Sequence, residues 1–424
     1  MNVPCGPRDA SGPEHSAGSG SNVGAVRQAA PGLGRGPGAR RALLVVTSGG
    51  ARGGAEVVAA GLLRHLDPGL WRPVVATLED GAAAAELRGA GFDVRPFPRA
   101  RLRHPASWMA VATALTRIAR REGVQAVYAN HNAGLVVATA VGKALRLPVA
   151  WHVHDPLGGP TSAERAVARV LRLAHPDLVI AANPAVAASL HEALRLSGQM
   201  RVVLPGLDRD ALAGGDRLRG RSRLGARPDA VVVVCLARFV PGKGQLDLLH
   251  ALAGLELPRE LVVVLCGPSH PDHGAYEAEL TRVVEDGGLG DVVRLLGYVS
   301  DAERADLLAA ADLLVHPART ENFGLAVAEA MALGLPVVAA DAPGPKSLVD
   351  DPRTGLLCPA GDVAALRSCL ERALADPAWR HEAGAAGRRA VASLSWERMA
   401  GHIEAALLEV LLRDPLAARP RQEE

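Results

Sequence analysis

The feature that most limits what this chain can become is a repeated pattern of short, wholly apolar runs, each followed by an Ala/Leu-rich stretch of helical length. The runs fall at Ala42–Thr47, Pro73–Leu78, Ala126–Ala129, Val149–His154, Leu178–Ala181 and Val202–Leu204. A second set follows at Ala230–Ala237, Leu261–Gly267, Val292–Gly297, Leu313–His316, Pro336–Ala340 and Gly355–Cys358, with helices such as Ala302–Ala311 and Gly324–Leu333 between them. Strands alternating with helices predict parallel sheets. At 424 residues the chain exceeds what one core usually organises, so two sets of strands mean two α/β domains. Aromatic residues make up only 3% of the chain, so the layers must pack through Ala, Val, Leu and Gly.

The boundaries follow from where the pattern lapses. Residues 1–40, rich in Gly, Pro, Ser and Ala without periodicity, are expected to form a disordered tail. The first domain is expected over 41–207, and the polar, Gly/Arg-rich stretch 208–228 is read as a linker. The second domain is expected over 229–394. Residues 395–412 show a helical stripe of Trp396, Met399, Ile403, Ala406, Leu407, Val410 and Leu411, placed to pack back on the first domain, and 413–424 are read as a flexible tail. No apolar run reaches about 18 residues, so no transmembrane helix is expected.

The five cysteines show no disulfide or zinc spacing, and Cys235 and Cys266 sit inside strand-like runs. Reduced thiols and the absence of an apolar leader in the first 40 residues predict a cytoplasmic protein. Residues 1–205 hold 23 Lys and Arg against 13 Asp and Glu, while residues 206–424 hold 24 against 32. A basic half suggests an anionic partner, such as a phosphorylated acceptor or the inner face of the plasma membrane; the plainer alternative is solvated helix faces. Arg99, Arg101, Arg103, Arg117, Arg120 and Arg121 surround Trp108, Met109, Val111, Leu115 and Ile118. That segment suits a peripheral membrane contact, though an amphipathic helix packed on its own sheet is the commoner use. No aromatic-interleaved basic patch argues for nucleic acid, and no Ser-His-Asp spacing argues for a hydrolase triad.

Four constellations carry chemistry. Glu321 and Glu329 stand eight apart, just over two helical turns, after the strand Leu313–His316. Between them Asn322, Phe323, Gly324 and Leu325 offer backbone N–H groups at a helix start, a place suited to a diphosphate; acids there also serve as plain helix caps. Arg238 and Lys243 flank a Pro-Gly turn after a strand and are able to converge on one anion. Gly50, Gly53 and Gly54 form a glycine turn at the mouth of the first sheet, with Glu56 read as the residue that orients it. Trp151-His152-Val153-His154-Asp155 ends a strand with both histidines on one side. Two His and an Asp raise a metal site, but no third ligand is spaced for it.

The stretch from His316 to Gly361, with Glu321 through Glu329, the Gly334-Leu335-Pro336-Val337-Val338 strand entry and Thr354-Gly355-Leu356-Leu357, resembles the donor-site signature of the family-four retaining glycosyltransferases. The Arg238…Lys243-Gly244 element is similar to that family's cationic pair, with Ala237 where glycine is frequent. The resemblance implies a GT-B fold: two facing Rossmann-like doubly wound domains with the active site in the cleft. It implies that Glu321 holds hydroxyls of the transferred hexose, Glu329 the nucleotide ribose, Arg238 and Lys243 the diphosphate, and that the glycine turn lies over the leaving group. By the same resemblance His154 reaches the donor sugar or orders the acceptor, and His152 is a secondary candidate. The implied reaction is front-face transfer, with retention, to a hydroxyl of a lipid, polysaccharide or small metabolite. A nucleotide sugar is the co-substrate, without a metal or other cofactor. A non-catalytic nucleotide-sugar-binding protein and a nucleotide-sugar epimerase are the alternatives. One departure stands out: Pro343-Gly344-Pro345-Lys346-Ser347 puts Ser347 where the family often has Glu.

Overall fold

A computed structural model describes residues 40–413 other than 98–104, 157–170, 174, 195–198, 259 and 269–273. Arg99, Arg101 and Arg103, the tail 1–39 and residues 414–424 therefore lie outside the described residues. The first sheet has seven strands: β1 (Arg41–Thr47), β2 (Trp71–Thr77), β3 (Val94–Pro96), β4 (Val124–Ala129), β5 (Val149–Val153), β6 (Leu178–Ala181) and β7 (Gln199–Val202), in the order β3-β2-β1-β4-β5-β6-β7. The second has six: β8 (Val231–Leu236), β9 (Leu261–Cys266), β10 (Val293–Gly297), β11 (Leu313–His316), β12 (Val337–Ala340) and β13 (Leu356–Cys358), in the order β10-β9-β8-β11-β12-β13. All the pairings are parallel.

Central strands such as β1 and β8 are buried along nearly their whole length because helices cover both faces, which is why they read as unbroken apolar runs. In both sheets the chain reverses direction of winding beside the first strand, between β1 and β4 and between β8 and β11. Crevices outside the carboxyl ends of strands at such switch points are where open α/β sheets bind ligands. All four sequence constellations lie at strand carboxyl ends, and three of them follow β1, β8 and β11 at these points.

Three sequence expectations change. The last strand of the first sheet is Gln199–Val202, earlier than Val202–Leu204, and Val202 and Leu204 are exposed. β3 was not visible in the sequence at all; it is a three-residue edge strand containing Arg95 and Pro96, which an edge tolerates because one side makes no ladder bonds. Residues 208–228 are not an unstructured connector. They hold helices Arg209–Ala213 and Arg217–Leu224, capped by Asp208 and Asp216, whose carboxylates accept from Ala211 N and Arg219 N at 2.9 Å each. The second of these lies so close to helix Asp301–Ala310 that a Cβ on Gly220 would stand 2.3 Å from the Asp306 carbonyl oxygen.

Helix Trp396–Arg413 crosses back to the first domain. Its Glu404 carboxylate accepts from Asp67 N at 2.5 Å, Glu409 pairs with Arg201 at 3.0 Å, and the Trp396 indole covers Gly61. Helix Pro105–Arg121 turns Val111, Leu115 and Ala119 into the first core, with Trp108 and Ile118 partly buried against it. Its apolar stripe is thus spent largely on its own sheet, leaving Met109 71% exposed and Arg117, Arg120 and Arg121 in solvent. No helix among the described residues is long and apolar enough to cross a membrane.

Candidate active site

The second domain builds its half from two loops. After β8 the chain turns through a short 3-10 helix, Pro241–Lys243, and Gly244, at φ +70°, starts helix Gln245–Ala253. Buried Gln245 donates to the carbonyls of Ala237 and Arg238 at 3.3 and 2.8 Å, which fixes the turn. Arg319, in the loop after β11, forms a two-pronged pair with buried Asp247 at 2.8 and 2.6 Å, and its backbone N–H donates to Gly242 O at 2.9 Å. These bonds lock the loop carrying Lys243 to the loop carrying Glu321, and Lys243 Nζ comes 2.8 Å from Glu321 Oε2. Arg238 is exposed, and its side chain has no hydrogen-bond or ion-pair partner among the described residues. Lys243 is thus held inward, while the Arg238 guanidinium remains available to an anion.

Glu321 has three donors. His316 Nε2 lies 3.1 Å from Oε2, beside the lysine, and the Gly324 N–H donates to Oε1 at 3.1 Å. Burial by itself would raise its pKa; the hydrogen bonds and charge of His316 and Lys243 outweigh it and hold the carboxyl well below the usual range. The group is therefore an anion near neutral pH. Within the expected cradle over Asn322–Leu325, the Gly324 amide is already bonded to Glu321. Gly324 caps helix Leu325–Leu333 at φ +83°, a left-handed geometry that favours glycine. Phe323 is 7% exposed and belongs to the apolar core, so its side chain supports the loop rather than facing a ligand.

Glu329 sits apart from this cluster. It pairs with Arg304, which lies 3.7 Å from Asp301, and Asp301 in turn pairs with Arg52 of the glycine turn at 2.7 Å. The two acids therefore keep different cations, and the second connects through charges to the first domain. Other contacts cross the cleft here: Asn183, just past β6, donates to the Asn322 carbonyl, and the Asn322 side-chain amide donates to Asp155. A Cβ on Gly54 would lie 4.0 Å from Leu325 Cδ1.

In the first domain, Glu56 Oε2 accepts from Gly53 N at 3.1 Å and Ser48 Oγ from Gly50 N at 3.2 Å, so Gly50, Gly53 and Gly54 belong to one pinned turn. His154 Nε2 is 3.1 Å from Asn130 Oδ1, and the Asn130 amide nitrogen donates to Ala55 O at 2.7 Å. Burial, reinforced by His131, pushes the His154 pKa down to about 3, so the ring is neutral in use. His152 is fully buried, bonded through Nδ1 to the Tyr128 hydroxyl at 2.5 Å and packed 4.2 Å from the His154 ring; it supports its neighbour from beneath. Ser347 Oγ donates to Gly344 O at 2.7 Å, closing its own turn. No group of three His, Cys, Asp or Glu among the described residues is arranged to hold a metal ion.

Sequence reasoning passed over Asn130, Asn183 and His316. Each is a polar residue that closes an apolar strand run at its carboxyl end, which was the available signal. Arg304 gave none, since one arginine on an exposed-looking helix is like any other until Glu329 is placed beside it.

Two facing parallel sheets with chemistry at their carboxyl ends across a cleft define the GT-B glycosyltransferase architecture. Comparison with known proteins agrees. Residues 52–211 match the family described as Glycosyltransferase Family 4, and residues 216–390 match Glycosyl transferases group 1. The chain belongs to this glycosyltransferase family. A D-inositol 3-phosphate glycosyltransferase of Nocardioides sp. is 38% identical over 213 residues, 48% of this chain and 46% of that protein. The protein of the same name from Streptomyces avermitilis is 34% identical over 250 residues, 57% of this chain and 53% of that one. The chain thus spans about half the length of the curated relatives it matches. Anabaena HepE in complex with UDP shares the fold at a TM-score of 0.76, with 25% identity over 87% of this chain and 99% of that one. Sucrose-phosphate synthase from Thermosynechococcus elongatus, at 22% identity and a TM-score of 0.71, shares the fold.

Proposed function

We propose that this chain transfers a hexose-type sugar from a nucleotide diphosphate to an acceptor hydroxyl with retention of configuration, using no resident metal or other cofactor. The observation that carries the reading is the Lys243–Glu321–His316 cluster, a carboxylate and a cation side by side at the mouth of the second sheet. Arg238 and Lys243 would meet the diphosphate, and their fixed charge would stabilise the leaving phosphate as the glycosidic bond lengthens. Glu321 Oε1 and Oε2 would accept from sugar hydroxyls, and Glu329 from those of the ribose. His154 and the Gly50–Gly54 turn would cover the sugar and diphosphate from the other domain. Asp155 is engaged with Asn322, which leaves it unsuited to act as a nucleophile, in keeping with front-face attack rather than double displacement.

The donor base is read as uracil, since Anabaena HepE was crystallised with UDP and UDP-glucose at 25% identity. The acceptor is read as anionic: the relatives named above act on an inositol phosphate, and the basic charge of residues 1–205 suits such a partner. Four described cysteines are free, which fits the reducing cytoplasm, and the acceptor is read as met there or at the inner membrane face through the arginines of helix Pro105–Arg121. Incubation with a panel of UDP-sugars and inositol 3-phosphate, read by mass spectrometry and by the anomeric coupling of the product, tests the reading. A glycosylated acceptor with the donor's anomeric configuration supports it. Return of an isomeric donor, or an inverted product, overturns it.

A further inference from the structure

We propose that Asn130 is a positioning residue that fixes His154 as its Nε2–H tautomer, so that the nitrogen left for a ligand, Nδ1, acts as a hydrogen-bond acceptor. The argument starts from the Asn130 amide, whose two ends are not interchangeable here. The Ala55 carbonyl 2.7 Å away carries no hydrogen, so the end facing it must be the NH2 group. The other end is then Oδ1, which only accepts, and the hydrogen in the 3.1 Å contact must come from His154 Nε2. A neutral imidazole carries one hydrogen, which leaves a lone pair on Nδ1.

The surroundings keep it so. The groups facing the ring are His152 on the same strand, Tyr128 of β4 bonded to that histidine, and His131 following β4. Asp155, the adjacent carboxylate, is turned to Asn322. No carboxylate among the described residues bonds the ring, and burial keeps the second proton off. His154 therefore meets a ligand as an uncharged acceptor, complementary to a hydroxyl and unsuited to a phosphate. Resting on the reading of this cleft as a sugar-transfer site, the ligand group is a hydroxyl of the donor sugar or of the acceptor. Asn130 also joins two parts of the site, since Ala55 directly follows Gly54: the glycine turn and His154 hang from one side chain.

The test uses the full chain with 15N-labelled histidine. Nitrogen shifts of His154, assigned by loss of its signals in His154→Gln, are expected to show an unprotonated Nδ1 and a protonated Nε2 at pH 7. The reverse tautomer, or an imidazolium, overturns the proposal. In Asn130→Asp the carboxylate can no longer donate to Ala55 O and draws a proton onto the ring, so the His154 titration moves up towards neutral pH. An unmoved titration is the second contradicting result. Asn130→Ala is expected to lower kcat about 10- to 100-fold with little change in KM for the UDP-sugar, as misorientation would. An unchanged kcat contradicts the positioning role. The tautomer measurement needs no turnover, so a wild-type protein that transfers no sugar would end the functional reading and leave the tautomer assignment to its own result.

Discussion

Acidification should destabilise this protein through His154 in a window where its carboxylates have not yet begun to titrate. In an unfolded chain a histidine titrates near 6.5, whereas burial brings His154 to about 3 in the fold. Between those values the unfolded state binds a proton that the folded state refuses, so stability rises with pH and is lost as pH falls below about 6.5. Each unit costs about 1.4 kcal/mol, which by pH 5 gives about 2 kcal/mol. The side chain is only partly sealed from water, so about 1–2 kcal/mol is the expected loss. Glu321, whose pKa is also depressed, contributes in the same sense but only below its ordinary value of 4.5, outside this window. His152 is shifted in the same direction, so the measurement is a difference: urea unfolding of wild type and His154→Gln at pH 7 and pH 5. The wild type should lose about 1–2 kcal/mol more than the variant on acidification. Equal losses, or a wild type that gains stability, would refute the placement of a neutral, half-buried imidazole here.

Other perturbations read different parts of the account. Lys243→Met should lower kcat by about 100- to 1,000-fold, the usual cost of one charge-stabilising donor, while circular dichroism stays native; turnover near wild type would remove Lys243 from the site. Gly61→Val would place a Cβ 2.4 Å from the rigid Trp396 indole and should cost at least about 1–3 kcal/mol by lifting the C-terminal helix, measured by thermal unfolding. Cys235 and Cys266, their thiols pushed by burial up to about 12 and about 11, should resist a thiol reagent at pH 8 in the native state and react promptly in guanidinium; fast native labelling would show them accessible.

The parts of the fold that could be read from the residues share one cause. β1, β4, β8 and β11 are flanked by strands and covered by helices, so most positions are apolar and the run announces itself. β3 and β7 lie at edges, where Arg95, Pro96 and Arg201 cost little, and the signal fades. The helices in 208–228 were hidden because their burial is partly polar. Arg221 is 6% exposed, with the two terminal nitrogens of its guanidinium bonded to the carbonyls of Arg227 and Ala230 and to Asp312, yet in sequence it looks like one more surface arginine. At the site, residue types and spacing marked Lys243 and Glu321 individually. Their pairing, 78 positions apart, depends on Arg319 and Asp247 bridging two loops, and no local pattern encodes that. The Gly324 amide shows the opposite limit: a helix start promises free donors, but a side chain three residues away had already claimed one.

The central claim is that the cluster at Lys243 and Glu321 receives the diphosphate end of a nucleotide sugar, and a crystal structure with UDP tests it directly. The account places a phosphate oxygen within hydrogen-bond distance of Lys243 Nζ and the Arg238 guanidinium, with the ribose hydroxyls at Glu329. Phosphates bound elsewhere, with the Lys243–Glu321 pair untouched and solvent-facing, would contradict it.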